Sequence, residues 1–305
     1  MASIYRNFLC LMILTIASLV PGHFTAASAQ TGSWPNEPSG FTTLLDCPLS
    51  GSLCPGMWDA YNSVTWAPGV NTPPPSTPLV LDSHMAVGST QGSGQWGMPL
   101  KDVKEIFLGT WWSTNRDFQG SPTNNNKMIF FRNPSIDNSL IVWQGLQDQP
   151  KTLKWYFQAY YDNCHVSGYQ GGCYNQGDGT GWLNPNVNGG AATVSPGSGW
   201  HRIELYLKSS STATSRDGVL RMWVDGSLTH NYANLNLLPL GANDFQINAA
   251  WDGSAAYLCG TGRDCSRAWH HYYHNLRISS GKGTPSADQP PGPPAVPRII
   301  GITVP

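Results

Sequence analysis

Charge is what this chain has least of. Only 11% of its 305 residues are Asp, Glu, Lys or Arg, against about 25% in an average soluble protein. Glutamate is nearly missing: Glu37, Glu105 and Glu204 stand against fifteen Asp. Lys and Arg number 17 and the acids 18, a net charge of -1. That balance excludes a charged helical bundle and gives no basic footprint for nucleic acid. No segment beyond the N-terminus has the run of about 20 apolar residues that spans a bilayer. No helix-period stretch of ten or more residues follows the first thirty. The chain also lacks CxxC spacing, a GxSxG elbow, a P-loop, a dinucleotide fingerprint and an EF-hand loop, so the local motifs for those chemistries are missing.

What is abundant points elsewhere. Gly is 33, Pro 24 and Trp 13, and 40% of the residues are hydrophobic, too many for intrinsic disorder. Arg6, the apolar run from Phe8 to Val20, Pro21 and Ala27-Ser28-Ala29 have the layout of a cleaved signal peptide over 1–29. Export follows, so the expected location is secreted, extracellular or periplasmic. Six cysteines remain in three local pairs: Cys47 with Cys54, Cys164 with Cys173, and Cys259 with Cys265. In an oxidising compartment each pair would close a Gly-rich or Pro-rich loop.

Residues 30–78 are rich in proline and read as a loop-like extension with one local disulfide. Residues 281–305, also rich in proline, read as a tail. Between them, period-2 segments separated by Gly, Asn, Asp and Pro predict strands. They fall near 79–83, 103–113, 127–132, 139–144, 152–161, 200–208, 218–224, 227–231, 244–251 and 269–279. Within 200–208, Ile203, Leu205 and Leu207 alternate with Arg202, Glu204, Tyr206 and Lys208, so one face is buried and the other wet. Asp225-Gly226 follows a similar segment and predicts a two-residue hairpin turn.

Two stretches carry a family resemblance. They are Gly199-Trp200-His201-Arg202-Ile203-Glu204-Leu205-Tyr206-Leu207 and Asp217-Gly218-Val219-Leu220-Arg221-Met222-Trp223-Val224-Asp225-Gly226. They resemble the core of concanavalin A-like jelly rolls, in the branch of laminin-G-like modules and heparin-lyase-type polysaccharide lyases. Asn126 to Phe131 and His274 to Ser279 are similar to two further strands of that branch, although His274-Asn275 replaces the usual acidic residue and His. The resemblance spans about 79–280. It implies an all-β fold of two antiparallel sheets, a jelly-roll sandwich, with glycans handled on the outer concave face of one sheet.

Alternation nominates residues for that face. Tyr156, Gln158 and Tyr160 form one set with Lys154. Trp269, His271, Tyr273, Asn275 and Arg277 form another. Such sets pair ring faces with polar tips, which suits sugars; the same residue types also fill sandwich cores. Tyr156, Gln158, Trp223, Arg221 and Arg277 are the expected sugar contacts.

The glucanases of the concanavalin A-like superfamily use a strand motif ExDxE, and three scattered Glu do not provide the carboxyl pair that glycoside hydrolysis needs. A lyase needs a uronate clamp, a base for the C5 proton and an acid for the leaving oxygen. Trp155-Tyr156-Phe157-Gln158-Ala159-Tyr160 is similar to the "YFKAGxYNQ" strand of jelly-roll alginate lyases. Gln158 replaces its Lys, and Asp162 sits near its Tyr. For a lyase, the expected participants are Tyr160 or Tyr273 as base and acid, His271 as a second base, and Arg202 or Gln158 as clamp. His270-His271-x-x-His274, on a strand, splits between two faces and assigns no metal set. No cofactor is expected; the superfamily admits Ca²⁺, for which Asp178, Asp244 and Asp252 lie in loop-like contexts.

The expected function is thus a secreted carbohydrate-binding jelly roll. A polysaccharide lyase and a non-catalytic adhesive module are the alternatives. The expected partner is a poly- or oligosaccharide, not nucleic acid or membrane, and the expected state is a monomer.

Overall fold

The sequence from His201 to Lys208 buries Ile203, Leu205 and Leu207 almost completely, as its alternation requires, but Glu204, expected on the wet face, is buried as well. Pairs of such strands build two sheets. The computed structural model describes residues 34–60, 64–69, 77–85, 95–116, 118, 125–133, 138–147, 152–161, 182–212, 215–238, 241–247 and 268–281. For 85, 125–126, 138–147, 158–161 and 182 only the backbone is described. All of these belong to the compact unit Thr31–Pro305. The expected signal peptide, the tail beyond Gly281, and Cys164, Cys173, Cys259 and Cys265 lie outside the described residues.

The strands are β1 (Thr42–Cys47), β2 (Trp58–Asp59), β3 (Thr65–Pro68), β4 (Leu79–Met85), β5 (Trp96–Val103), β6 (Glu105–Thr114), β7 (Asn125–Asn133) and β8 (Asn138–Gln147). They continue with β9 (Thr152–Tyr161), β10 (Trp182–Leu183), β11 (Thr193–Val194), β12 (His201–Lys208), β13 (Gly218–Val224), β14 (Ser227–Leu235), β15 (Ala242–Ile247) and β16 (Trp269–Ser280). Sheet A runs β14-β13-β12-β6-β16-β4-β3, with β1 also paired to β16. Sheet B runs β10-β9-β8-β7-β15-β5-β2, with β11 also paired to β9. Every described pairing is antiparallel. This is the expected all-β jelly-roll sandwich.

The core lies between the sheets. Sheet A contributes Leu108, Trp112, Leu205, Met222, Tyr273 and Ile278, and sheet B contributes Trp96, Ile129, Phe131, Trp155, Phe157 and Phe245. Trp112 meets Trp155 edge-on at 5.1 Å, and Trp96 meets Tyr273 at 5.6 Å. Each such ring pair adds about 0.5–1.5 kcal/mol beyond its buried area.

The loop-like character expected of 30–78 does not hold for all of its described residues. Three of its segments, β1, β2 and β3, join the sheets. They are short and bounded by proline, and partners more than ten residues away hold them, so no local period announces them. β5 was also unanticipated, because Gly97 and Pro99 interrupt its pattern. The Cys47–Cys54 bridge is formed. It closes the passage from β1 in sheet A to β2 in sheet B.

A bulge in β16 redirects its side chains. Asn275 has φ 48, a left-handed conformation that Asn tolerates. Its N–H donates to the Pro48 carbonyl at 3.1 Å. Before the bulge, Trp269, His271 and Tyr273 face the core. After it, Leu276 and Ile278 do.

Candidate functional site

Alternation in sheet B leaves one set of side chains on its outer face. On β7, Ile129 and Phe131 are buried, whereas Lys127, Phe130 and Arg132 are partly exposed. On β9, Leu153, Trp155 and Phe157 are buried, and Lys154 and Tyr156 are partly exposed. On β15, Phe245 and Ile247 are core residues, and Asp244 and Gln246 occupy the alternate positions.

Cross-strand register assembles these positions into rows. One row runs Tyr160, Ser139, Arg132, Asp244, Pro99. Another runs Trp182, Gln158, Ile141, Phe130, Gln246, Gly97, Trp58. A third pairs Lys127 with Trp143 and Trp143 with Tyr156. Neighbouring strands are about 4.8 Å apart, so each row is a transverse track across the sheet.

The centre of the face is polar and tied together. The Gln246 Nε2 donates to the Asp244 carboxylate. Arg132 is the direct partner of Asp244 on β7. Burial pushes the Asp244 carboxyl up to about 6, against the lowering pull of the Gln246 hydrogen bond and the Arg132 charge. An acid of that strength exchanges its proton near neutral pH. At the end of the strands, Asn133 Nδ2 donates to the Gly241 carbonyl at 2.8 Å, and Asn243 Nδ2 donates to Asn133 Oδ1 at 3.3 Å. These bonds hold β7 and β15 in register.

The outer face of sheet A is used differently. The Trp34 indole lies against the backbone of Gly109. Glu204, fully buried, accepts from the Asn36 backbone N–H at 3.1 Å, from Asn36 Nδ2 at 2.9 Å and from Arg202 Nε at 3.0 Å. Arg277 donates to Glu37 through Nε and Nη2 and to Asp46 through Nη1. The Arg221 guanidinium lies 5.8 Å from the Tyr206 ring centroid and donates to Asn231 Oδ1. Trp223, partly exposed, sits between Glu204 and Leu228 in register. His270 and Asp82 are in contact at 3.0 Å on the same face, with His84 stacked on His270.

The expected site residues therefore divide among three layers. Tyr156, Gln158 and Tyr160 belong to alternate positions of one strand of sheet B. Arg202, Arg221, Trp223 and Arg277 lie on the outside of sheet A, where the three arginines engage the protein's own groups. His271 and Tyr273 lie between the sheets. The Trp112 Nε1 donates to His271 Nδ1 at 3.1 Å. Burial, and to a lesser degree His270, lowers the His271 pKa to about 3. Burial drives the Tyr273 hydroxyl upward. The shared outer face expected for Trp269, His271, Tyr273, Asn275 and Arg277 is thus corrected: the core takes the first three, and the bulge at Asn275 moves Arg277 to the outside. Asp244, expected in a loop-like context at the start of the strand near 244–251, lies inside β15; Asp178 and Asp252 lie outside the described residues. Phe130, Arg132 and Gln246 were not singled out in the sequence. Their alternation with Phe131, Phe245 and Ile247 signals outward positions, but only the β7–β15 pairing makes them neighbours.

The chain has a two-sheet antiparallel jelly-roll fold. No family model matches it, and no curated protein does. Among solved structures it resembles the endo-β-1,4-glucuronan lyase of the fungus Trichoderma reesei, at 17% identity and a TM-score of 0.52, over 82% of this chain and 100% of that one. It also resembles the alginate lyase Aly36B, at 15% identity and a TM-score of 0.47, over 65% of this chain and 80% of that one. A third likeness is to the carbohydrate recognition domain of Emp47p, at 10% identity and a TM-score of 0.42, over 82% and 100%.

Proposed function

We propose that this is a secreted carbohydrate-active protein that binds an acidic, uronate-containing polysaccharide on the outer face of sheet B. The observation that carries this reading is the composition of that face. Lys127, Arg132 and Lys154 are interleaved with the rings of Phe130 and Tyr156, around a carboxyl that titrates near neutral pH. Guanidinium and ammonium groups pair with uronate carboxylates, and Arg does so with two parallel hydrogen bonds. Rings such as Phe130 and Tyr156 cover the C–H faces of sugars. The glucuronan lyase likeness supports the fold on which such a face is built.

Cleavage by β-elimination is a second reading, favoured by the Asp244–Arg132 pair. Arg132 would neutralise the uronate carboxylate and so acidify the C5 proton. A base on the same face takes that proton, the C4–O bond breaks, a C4=C5 double bond forms, and the leaving oxygen is protonated. Tyr160, in the same register row as Arg132 and Asp244, is the base and acid of this reading, with Gln158 beside it. His271, Tyr273 and Arg202 take no part, since they lie on other layers.

Affinity electrophoresis in gels carrying glucuronan, alginate, pectin or a neutral β-glucan tests binding. The acidic gels should retard the protein, the neutral gel should not, and Arg132→Ala should restore most of the mobility. Equal mobility in every gel would sink the proposal. Ultraviolet absorbance of an unsaturated uronate product, lost in Tyr160→Phe, tests the lyase reading.

A further inference from the structure

One register row of sheet B, at its outward positions, has an aromatic residue at each end. It passes from Trp182 through Gln158, Ile141, Phe130, Gln246 and Gly97 to Trp58. Six strand spacings place its ends roughly 29 Å apart. Trp58 comes from the proline-rich segment before the main strands, yet it closes this row.

Several contacts fix Trp58 in place. The adjacent Met57 N–H donates to the carbonyl of Cys54, the residue that closes the disulfide-bridged loop, at 3.1 Å. Asp59 accepts from the Val64 N–H, and the Ala60 N–H donates to the Gln95 carbonyl at 2.9 Å. Met57 packs against the hydrophobic core, and among the described residues Trp58 is not part of that packing. Its ring lies against Gly97 instead: an added Cβ there would sit 2.9 Å from Trp58 Cζ2. A side chain at position 97 would meet the Phe245 carbonyl first and the Trp58 ring next. Trp58 stays partly exposed. A large ring held rigidly at the margin of a polar sheet face, outside the core, suits stacking on a sugar.

We infer that Trp58 is a distal sugar-stacking subsite, engaged by an acidic oligosaccharide only when the chain extends from Arg132 and Phe130 past Gln246 to β2. The inference rests on the reading of sheet B as the glycan face. It assigns the chain direction, across the strands, and a dependence on chain length.

The test is calorimetric titration of glucuronan and alginate oligosaccharides of graded length into the full protein, Trp58→Ala and Trp58→Phe. Trp58→Ala should weaken the longest oligosaccharides by about five- to tenfold, the size of one lost ring contact. Trisaccharide affinity should stay within about twofold of the parent protein. Trp58→Phe should fall between for long chains only, and it carries the test alone if the alanine variant does not fold. An unchanged affinity for long chains, or an equal loss at every length, overturns the inference. Failure of the parent protein to bind any acidic oligosaccharide is a different result, and it removes the functional reading itself.

Discussion

Asp244 joins the chemistry of the face to stability. Its carboxyl is raised from 3.8 to about 6 in the fold, so the fold favours the neutral form. The corresponding stability is fully present below the unfolded value of about 3.9 and is lost as pH rises through about 6. Asp244→Asn keeps a neutral group at all pH values. Urea unfolding should therefore show the variant more stable than the parent by about 1–2 kcal/mol at neutral pH, converging with it near pH 4. His271 works in the opposite sense. Its pKa is lowered to about 3, so the stability of the neutral ring is present above its unfolded pKa and lost as pH falls toward 3. The acid limb of unfolding belongs to buried histidines such as His271 and His230, which is also lowered to about 3 by burial.

Among the elements, the β13–β14 hairpin shows how local chemistry fixes a turn. Asp225 and Gly226 have φ 52 and 84, the two left-handed positions of the tight turn that suits strand twist. The Asp225 carboxylate accepts from His201 at 2.7 Å and from the Arg202 N–H at 2.8 Å. Burial tends to raise its pKa, but these hydrogen bonds outweigh burial and leave it lowered. Ser198 Oγ reaches His201 Nε2 at 2.8 Å and donates to the Ser195 carbonyl at 2.6 Å, so the serine and histidine brace the loop ahead of β12. Gly226→Ala should cost about 1–2 kcal/mol in thermal or urea unfolding, because a Cβ there has the wrong φ and meets Arg202 Nη2 at 3.0 Å. This hairpin was legible in the sequence because both of its constraints are local. The bulge at Asn275 was not: its backbone bonds to Pro48, more than two hundred residues away, and the period around it looks unbroken.

For the whole molecule, the described residues of 34–68 cover part of the outside of sheet A and reach the edge of sheet B. Trp34, Asn36 and Glu37 occupy the outside of sheet A, and the chain then crosses to β2 at the edge of sheet B. The Cys47–Cys54 bridge, with a separation of 7, closes that crossing. Replacing both cysteines with serine should lower unfolding stability by about 2 kcal/mol, the loop-closure entropy of so short a ring, read as a shift of the urea midpoint.

The sequence by itself determined the sandwich. Low charge, short alternating segments and paired turn residues leave little else for Ile203, Leu205 and Leu207 to do but line a core, and those signals act over a few residues. It also showed that Tyr156 and Lys154 share one side of a strand. Tertiary structure alone decided which layer each candidate occupies. His271 and Tyr273 went inside because the core side of β16 is set by its partners, β4 and β6. Asp244 became a neighbour of Arg132 because β15 inserts beside β7. Burial, pairing and desolvation arise only when distant strands meet, and they raised the Asp244 carboxyl to about 6.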